Sequence, residues 1–309
     1  MARVFVTRQL VGPALERLAT AGYQVDLWEA REPPPRRDLV ARARQADALL
    51  CTLADPIDAA FLDACPHLRV ISSCAVGTDN VDLEAARARG IPVGNTPGVL
   101  TDATADLAFA LLLAAARRLP QTSAAVLNGE WGPWEPAGFL GHDVAGATLG
   151  IVGAGRIGTA VAQRAQGFGM EVLTTTSRGG TPLPSLLERS DFVSLHVPLT
   201  PQTRGLIGAE QLARMQPTAI LVNTARGPVV DTRALIDALH AGRIAGAALD
   251  VTDPEPLPVD HPLLHAPNVL VTPHIGSATP RTRARMAELA VDNVLAGLAG
   301  EPLPHPVAP

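Results

Sequence analysis

Residues 149–158, Leu-Gly-Ile-Val-Gly-Ala-Gly-Arg-Ile-Gly, constrain the fold of this chain more than any other stretch. An apolar strand pattern leads into three glycines spaced G-x-G-x-x-G, and a helical pattern and a further β pattern follow. In this setting Gly153 makes a tight turn, Gly155 leaves room for a pyrophosphate, and Gly158 lets the helix pack on the sheet. The stretch therefore predicts a strand–turn–helix unit that binds a dinucleotide at the helix N-terminus. The alternative is an ordinary glycine-rich loop.

β and helical patterns alternate along most of the chain, which is typical of parallel sheets with helices on their faces. The β patterns lie at residues 3–7, 23–28, 47–52 and 69–75, and then at 191–197, 219–224, 246–250 and 269–272. An apolar helical pattern over 101–118 lies between the two series. We therefore expect an α/β protein with two Rossmann-like, doubly wound parallel sheets, one flavodoxin-like and one dinucleotide-binding.

The last helical pattern, residues 280–298, has no strand after it, so we expect this helix to return to the first sheet. The predicted domains are residues 1–98 plus 280–309, for the substrate, and residues 99–279, for the cofactor. An active-site cleft is expected between them. The proline-rich residues from 302 onwards are expected to form a loose terminus.

Composition narrows the class of protein. A net charge of -5 without a basic run disfavours nucleic-acid binding, and no apolar run is long enough to cross a bilayer. The N-terminal residues have a strand pattern and not that of a signal peptide, so we expect a cytoplasmic protein. Cys51, Cys65 and Cys74 lack the spacing of a metal site or a disulfide framework, and no histidine pair has metal-ligand spacing, so no metal is expected. The chain contains no lysine, which leaves arginine and histidine as catalytic cations.

Three ionisable residues follow strand patterns of the second series: Arg226, Glu255 and His274. Ligands of open α/β sheets collect at the carboxyl ends of the strands. An arginine can hold a carboxylate through two hydrogen bonds, and a histidine beside a glutamate is favoured in its protonated form, which suits a proton donor. The pattern predicts one site, although each residue alone could be an ordinary loop residue or a helix cap.

Six motifs resemble those of the D-2-hydroxyacid dehydrogenase family, most closely its glyoxylate/hydroxypyruvate reductase branch. They span nearly the whole chain and lie at residues 76–82 (VGTDNVD), 95–98 (NTPG), 153–158 (GAGRIG), 222–227 (VNTARG), 249–258 (LDVTDPEPLP) and 273–278 (PHIGSA). The resemblance implies that a hydride passes from a nicotinamide to the carbonyl carbon of a 2-oxo acid while His274 protonates the oxygen. Glu255 would orient His274, and Arg226 would bind the carboxylate.

The resemblance implies further contacts. The substrate would meet the backbone N–H groups of Val76 and Gly77, with Leu53 and Ser277 in the pocket. The implied cofactor contacts besides the three glycines are Thr104, Arg156, Ile157, Pro198, Thr203, Thr224, Ala225, Arg226, Asp250, His274 and Gly276. In the similar reductases the region of residues 128–134 helps to form a dimer, and a tryptophan at the place of Trp134 reaches the partner's active site. We therefore expect a homodimer, and the alternative is that the two tryptophans of this region pack against their own domain.

The strand after the glycine turn bears on the choice of nicotinamide. An NAD-specific site places Asp or Glu at the end of this strand, about 20 residues after the turn. This chain has Leu-Thr-Thr-Thr-Ser-Arg there, at residues 173–178. With no carboxylate to repel a 2′-phosphate, and with Ser177 and Arg178 able to bind one, we expect NADP(H), with NAD(H) as the second choice. The alternative is that Arg178 faces solvent.

Two other kinds of function stay open. A dehydrogenase of the same family that acts on phosphoglycerate, formate or phosphite would have much the same catalytic residues. A non-catalytic, nicotinamide-sensing protein similar to the family's corepressors can also retain Arg226, Glu255 and His274.

Overall fold

The computed structural model describes residues 1–307, and the chain divides into two units. The first contains Met1–Leu100 and the residues from Ser277 onwards, and the second is Thr101–Gly276. These boundaries lie two or three residues from those that the sequence predicts, 98/99 and 279/280. The roles of the two units stay predictions.

Strands and helices alternate along most of the described chain. The strands are β1 (Arg3–Val6), β2 (Gln24–Leu27), β3 (Ala48–Cys51), β4 (Val70–Ser73), β5 (Val93–Gly94), β6 (Thr148–Val152), β7 (Glu171–Thr176), β8 (Gly179–Gly180), β9 (Phe192–Leu195), β10 (Ile220–Asn223), β11 (Gly246–Leu249) and β12 (Val269–Val271). The helices are α1 (Ala14–Thr20), α2 (Arg36–Ala43), α3 (Ala59–Ala64), α4 (Leu83–Ala88), α5 (Thr101–Ala116), α6 (Leu119–Leu127), α7 (Arg156–Gln166), α8 (Leu183–Arg189), α9 (Ala209–Arg214), α10 (Thr232–His240) and α11 (Pro280–Ala299).

The first unit is a parallel sheet in the order β2-β1-β3-β4-β5, the flavodoxin-like order. Successive residues of β1 point to opposite faces, so Phe5 packs with α2, α3 and α4 while Val4 and Val6 pack with α1 and α11. A Cβ on Gly297 of α11 would lie 2.6 Å from the side chain of Val70 on β4. The last helix therefore packs closely on the first sheet.

The C-terminal segment is bound to this sheet as well. The backbone N–H of Asn95 donates to the carbonyl oxygen of His305 at 3.0 Å. The buried side chain of Asn293 on α11 donates to the carbonyl of Asn95 and accepts from the N–H of His305, both at 3.0 Å. The prediction of a loose terminus is wrong for residues 302–307, because the segment forms an antiparallel bridge with β5. Residues 308–309 lie outside the described part of the chain.

The second unit is a sheet in the order β12-β11-β10-β9-β6-β7-β8, with all neighbours parallel except the short edge strand β8. Helices α5 and α7 cover one face, and α8, α9 and α10 cover the other. The chain runs outward from β6 to β7 and β8 and then crosses back to β9 on the other side of β6. The switch point of this sheet therefore lies between β6 and β9, where doubly wound sheets bind ligands outside the carboxyl ends of the strands. The two doubly wound sheets predicted from the sequence are confirmed.

Candidate active site

The three glycines after β6 meet three different requirements. Gly153 has φ +99°, and a Cβ there would lie 2.7 Å from the backbone carbon of His196. A Cβ on Gly155 would meet nothing within 4 Å, so the protein leaves space in front of this residue. A Cβ on Gly158 would overlap the carbonyl oxygen of Gly153, so this glycine lets α7 begin close to the turn. A helix N-terminus presents backbone N–H groups to anions, so this turn could hold the pyrophosphate of a dinucleotide, and that contact stays a prediction.

His196 connects two strand ends beside the glycine turn. It follows β9, and its Nε2 lies 2.8 Å from the hydroxyl of Ser194. Its Nδ1 lies 3.5 Å from the hydroxyl of Thr224, which follows β10. Burial lowers the pKa of His196 from 6.5 to about 4, so the ring is uncharged at neutral pH. The sequence places this histidine at a strand end but does not reveal its two partners.

The low pKa of His196 makes folding dependent on pH. Between pH 6.5 and about 4 the unfolded chain binds a proton on this ring and the folded chain does not. The free energy of unfolding therefore has its full value above pH 6.5. It decreases by on the order of 3 kcal/mol as the pH is lowered from 6.5 to about 4. We expect thermal unfolding of the His196→Asn variant to lack this part of the pH dependence, and His240→Asn, on the exposed surface of α10, to keep it. The same pH dependence in wild type and His196→Asn would contradict a buried neutral ring.

The predicted proton donor contacts the predicted carboxylate. His274 Nδ1 lies 2.6 Å from Glu255 Oε1, and the two side chains are 26% and 34% exposed. Because a carboxylate only accepts hydrogen bonds, Nδ1 carries a proton in this contact. Nε2 is then the ring nitrogen left for a substrate. The structure thus brings together two of the three predicted catalytic residues.

Asp250 holds the turn that contains His274. Its Oδ1 accepts hydrogen bonds from the Thr272 hydroxyl at 2.6 Å and from the Ile275 N–H at 2.8 Å. Its Oδ2 accepts from the Gly276 N–H at 2.8 Å, and its backbone oxygen accepts from the His274 N–H at 2.9 Å. These contacts enforce φ +53° at His274, a conformation that residues other than glycine seldom adopt. The contact of Asp250 with a cofactor stays a prediction, and its carboxylate positions the candidate proton donor.

Arg226 lies in the turn after β10, at the same edge of the sheet. Asn223, which is buried, shapes this turn by accepting from the Ala225 N–H at 3.0 Å and donating to the Arg226 carbonyl at 2.9 Å. A Cβ on Gly227 would overlap the carbonyl oxygen of Thr252, so glycine lets the turn approach the segment after β11. Asn223 and Gly227 belong to the motif at residues 222–227, but the sequence predicted no role for them, although both residue types are typical of tight turns.

Other predicted cofactor residues lie along this edge. Thr104 on α5 and Gly276 are neighbours, because a Cβ on Gly276 would lie 3.3 Å from the Thr104 hydroxyl oxygen. The Thr203 hydroxyl donates to the Pro198 carbonyl at 2.6 Å, which keeps these two residues together after β9. The first residues of α7 are Arg156 and Ile157. Their contacts with a cofactor stay predictions.

The residues after β7 are polar and basic. Ser177 and Arg178 are exposed and follow the last residue of β7, Thr176. The Thr176 hydroxyl accepts from the backbone N–H of Arg178 at 3.2 Å, which shapes the turn before β8. Glu171 lies at the opposite end of β7 and pairs with Arg189 at 2.6 Å. The end of β7 therefore carries the positive charge that the sequence predicts.

Three of the predicted substrate residues lie at the carboxyl edge of the first sheet. Leu53 follows β3 and is 39% exposed, and Val76 and Gly77 follow β4 and are partly buried. The Val76 carbonyl accepts from the side-chain amide of Asn95 at 2.8 Å, which fixes this loop. Ser277 begins the second stretch of the first unit. Contact of these residues with a substrate stays a prediction.

The segment between α6 and β6 exposes large apolar side chains. Trp131 and Trp134 are 76% and 86% exposed, and Leu140 and the last residue of α6, Leu127, are also exposed. Trp131 and Phe139 line a cavity of about 230 Å³ beside α6. Exposed apolar surface of this extent is typical of a protein–protein interface.

The cysteine thiols are poor nucleophiles. Burial raises the pKa of Cys65 to about 11 and that of Cys74 to about 12, and it also raises the pKa of Cys51. Within residues 1–307 no group of three His, Cys, Asp or Glu side chains is placed to hold a metal ion. None of the helices described in that range has the length and apolarity needed to cross a membrane.

Comparison with known proteins assigns the family. Residues 109–276 match the model of the D-isomer specific 2-hydroxyacid dehydrogenase NAD binding domain. The chain is also 51% identical to a glyoxylate reductase of Korarchaeum cryptofilum, over 98% of this chain and 95% of that protein. This chain belongs to the D-2-hydroxyacid dehydrogenase family. The resemblance predicted from the six motifs is confirmed.

Solved structures of similar proteins share the fold of this dehydrogenase. The TT0316 protein of Thermus thermophilus is 52% identical with a TM-score of 0.93, over 99% of this chain and 100% of that one. An NADPH-dependent glyoxylate/hydroxypyruvate reductase of Sinorhizobium meliloti, solved with NADP and malonate, is 34% identical with a TM-score of 0.85, over 99% of this chain and 97% of that one. This 2-hydroxyacid dehydrogenase uses a nicotinamide cofactor and acts on a small-molecule acid.

Proposed function

We propose that this dehydrogenase reduces glyoxylate, hydroxypyruvate or both to the D-2-hydroxy acid with NADPH. The observation that carries the proposal is the 2.6 Å contact between His274 Nδ1 and Glu255 Oε1. His274 lies on a turn that Asp250 holds at the carboxyl edge of the second sheet. The 51% identity with a glyoxylate reductase supports the choice of substrate. We assign the second unit to the cofactor and the first to the substrate.

The three proposed catalytic residues of the second unit each have a separate role in the reaction. A bound nicotinamide supplies the hydride that reduces carbon 2 of the acid. His274 donates a proton from Nε2 to the carbonyl oxygen, and Glu255 stabilises the imidazolium through Nδ1. Arg226 binds the carboxylate of the acid and polarises its carbonyl group. We also propose, by the family resemblance, that the acid contacts Leu53, Val76, Gly77 and Ser277.

The residues after β7 support NADPH as the preferred cofactor, since Ser177 and Arg178 can bind a 2′-phosphate there and no carboxylate at the end of this strand opposes one. We expect the wild type to prefer NADPH over NADH at least tenfold in kcat/KM. Arg178→Ala should raise the KM for NADPH about tenfold, because one charge-assisted contact is lost, and leave the KM for NADH unchanged. Arg233→Ala, at another exposed arginine, should change neither value. A tenfold preference of the wild type for NADH would contradict this proposal.

We further propose that the exposed apolar segment after α6 forms a homodimer interface in which Trp134 reaches the partner's active site. Trp134 is 86% exposed in the single chain, which supports burial against a second copy. Light scattering at micromolar concentration should give twice the mass of the chain, and a monomeric mass would reject the dimer.

The proposed function is tested by turnover of glyoxylate, hydroxypyruvate, pyruvate and 3-phosphoglycerate with both nicotinamides. We expect the highest kcat/KM with glyoxylate or hydroxypyruvate and NADPH. A maximum with 3-phosphoglycerate would assign another dehydrogenase activity. Nicotinamide binding without turnover of any acid would favour a sensing protein.

A further inference from the structure

The first sheet has a switch point of the kind at which doubly wound sheets bind ligands, but side chains of the protein itself occupy it. In the order β2-β1-β3-β4-β5 the chain runs outward from β1 to β2 and then crosses back to β3, so the switch point lies between β1 and β3. Doubly wound sheets bind ligands outside the strand ends at this point. Thr7 follows β1, and Thr52 and Asp55 follow β3, so these residues lie at the switch point.

Asp55 joins the two strand ends. Its side chain is fully buried, and its Oδ2 accepts hydrogen bonds from the Thr7 hydroxyl at 2.6 Å and from the Thr52 N–H at 2.8 Å. The Thr52 hydroxyl donates to the same oxygen at 3.1 Å. The Asp55 carboxylate therefore accepts the hydrogen bonds that Thr7 and Thr52 donate at the switch point of the first sheet.

The corresponding point of the second sheet is built in the opposite way. There the first residue after β6 is Gly153, which has no side chain, and a Cβ on Gly155 would meet nothing within 4 Å. One sheet thus leaves its switch point open and the other closes it with Asp55. With its switch point closed, the first unit would contact a ligand through its loops and not at the switch point.

Asn80 extends this network to a second loop. Its side-chain Nδ2 donates to the Thr52 carbonyl at 3.0 Å and to the Asp55 carbonyl at 2.7 Å. Its own carbonyl accepts from the backbone N–H of Ile57 at 2.8 Å. Three hydrogen bonds therefore fix the loop after β3, which contains Leu53, against the loop after β4, which contains Asn80.

This network is not an efficient way to stabilise the fold. Burial of a carboxylate opposes folding unless hydrogen bonds compensate for the lost hydration, and apolar replacements of buried ionic groups are often neutral or stabilising. Moreover, Asp55 Oδ1 is buried and accepts no hydrogen bond from the residues that the structure describes. A role in positioning the two loops explains why a polar network, and not an apolar contact, occupies this place.

We propose that Asp55 and Asn80 are positioning residues for the substrate: they hold the loop of Leu53 and the loop of Val76 and Gly77 in the one arrangement that binds the 2-oxo acid. The inference rests on the proposed function, in which these loops contact the acid. It predicts that weakening the network impairs substrate binding and leaves the proton donor and cofactor binding unaffected, because His274 lies in the second unit, to which we assign the cofactor.

The test uses Thr7→Val, which removes one donor to Asp55 at nearly constant volume, and Asn80→Ala. Both variants should raise the KM for the 2-oxo acid about tenfold, with kcat changed less than about threefold and the Kd of NADPH unchanged. Thr7→Ser keeps the hydroxyl and should restore the wild-type KM. Val294 lies on α11, in the core between this helix and the first sheet. Val294→Ala should therefore lower the Tm without raising the KM. If Asn80→Ala does not fold, the pair Thr7→Val and Thr7→Ser is the complete test.

An unchanged KM in folded Thr7→Val overturns the inference, and so does an equal rise of the KM in Val294→Ala, which would show a general effect of destabilisation. Both results leave the proposed function intact, because the wild type turns over the acid in the same assay. A wild type that reduces no 2-oxo acid instead rejects the proposed function, and the inference with it.

Discussion

His274→Asn should abolish reduction of the 2-oxo acid and leave the affinity for NADPH nearly unchanged. Asparagine has no acidic proton to give to the carbonyl oxygen, and general acid catalysis contributes about 10²–10⁴ in rate, so kcat should fall about a thousandfold. Asparagine also tolerates positive φ better than most residues, so the turn with φ +53° should persist. Steady-state kinetics measures kcat, and fluorescence titration measures the Kd of NADPH.

His240→Asn is the matched control, since this histidine lies on the exposed surface of α10 and should not affect turnover. Normal turnover in His274→Asn would show that another group donates the proton. An equal loss of NADPH affinity and turnover would show instead that the residue serves the cofactor and not the proton transfer.

Gly155→Ala should fold like the wild type but bind NADPH roughly a hundredfold more weakly, a loss of about 2.7 kcal/mol. The backbone at Gly155 has φ -77°, which alanine adopts without strain, and its Cβ would meet no protein atom within 4 Å. The same Cβ would stand between the backbone and the pyrophosphate. The variant therefore separates cofactor binding from folding.

Two other glycines, one within α7 and one directly after it, complete the experiment. Gly167→Ala, at the C-terminal end of the helix with φ -64°, should keep both the Tm and the affinity for NADPH. Gly158→Ala should lower the Tm, because its Cβ would overlap the Gly153 carbonyl oxygen. Wild-type affinity for NADPH in Gly155→Ala would contradict binding of the pyrophosphate at this turn.

The sequence predicted the elements whose pattern is local. The helix predicted over 101–118 is Thr101–Ala116, and the one predicted over 280–298 is Pro280–Ala299. Both have apolar residues at helical spacing over more than three turns, which identifies a helix without tertiary information. The His274–Glu255 contact was also predicted, since strand ends of one parallel sheet meet at one edge.

Features that depend on hydrogen bonds between distant segments could not be predicted in the same way. Asp250 binds the turn around His274 across 22 to 26 positions of the chain, and Thr7 binds Asp55 across 48. The C-terminal segment pairs with Asn95 near β5 through His305, and nothing in its proline-rich sequence indicates this partner. Such contacts depend on the three-dimensional fold, because sequence patterns report burial and turns but not which polar groups meet.

The central claim, transfer of a hydride from a nicotinamide to carbon 2 of a 2-oxo acid, is tested most directly with NADPH deuterated at both C4 positions and hydroxypyruvate as substrate. Nuclear magnetic resonance of the product should show glycerate with one deuterium at carbon 2 for each NADPH consumed, and chiral chromatography should show the D-enantiomer. Unlabelled glycerate or the L-enantiomer would contradict the account, and so would no consumption of NADPH with either hydroxypyruvate or glyoxylate.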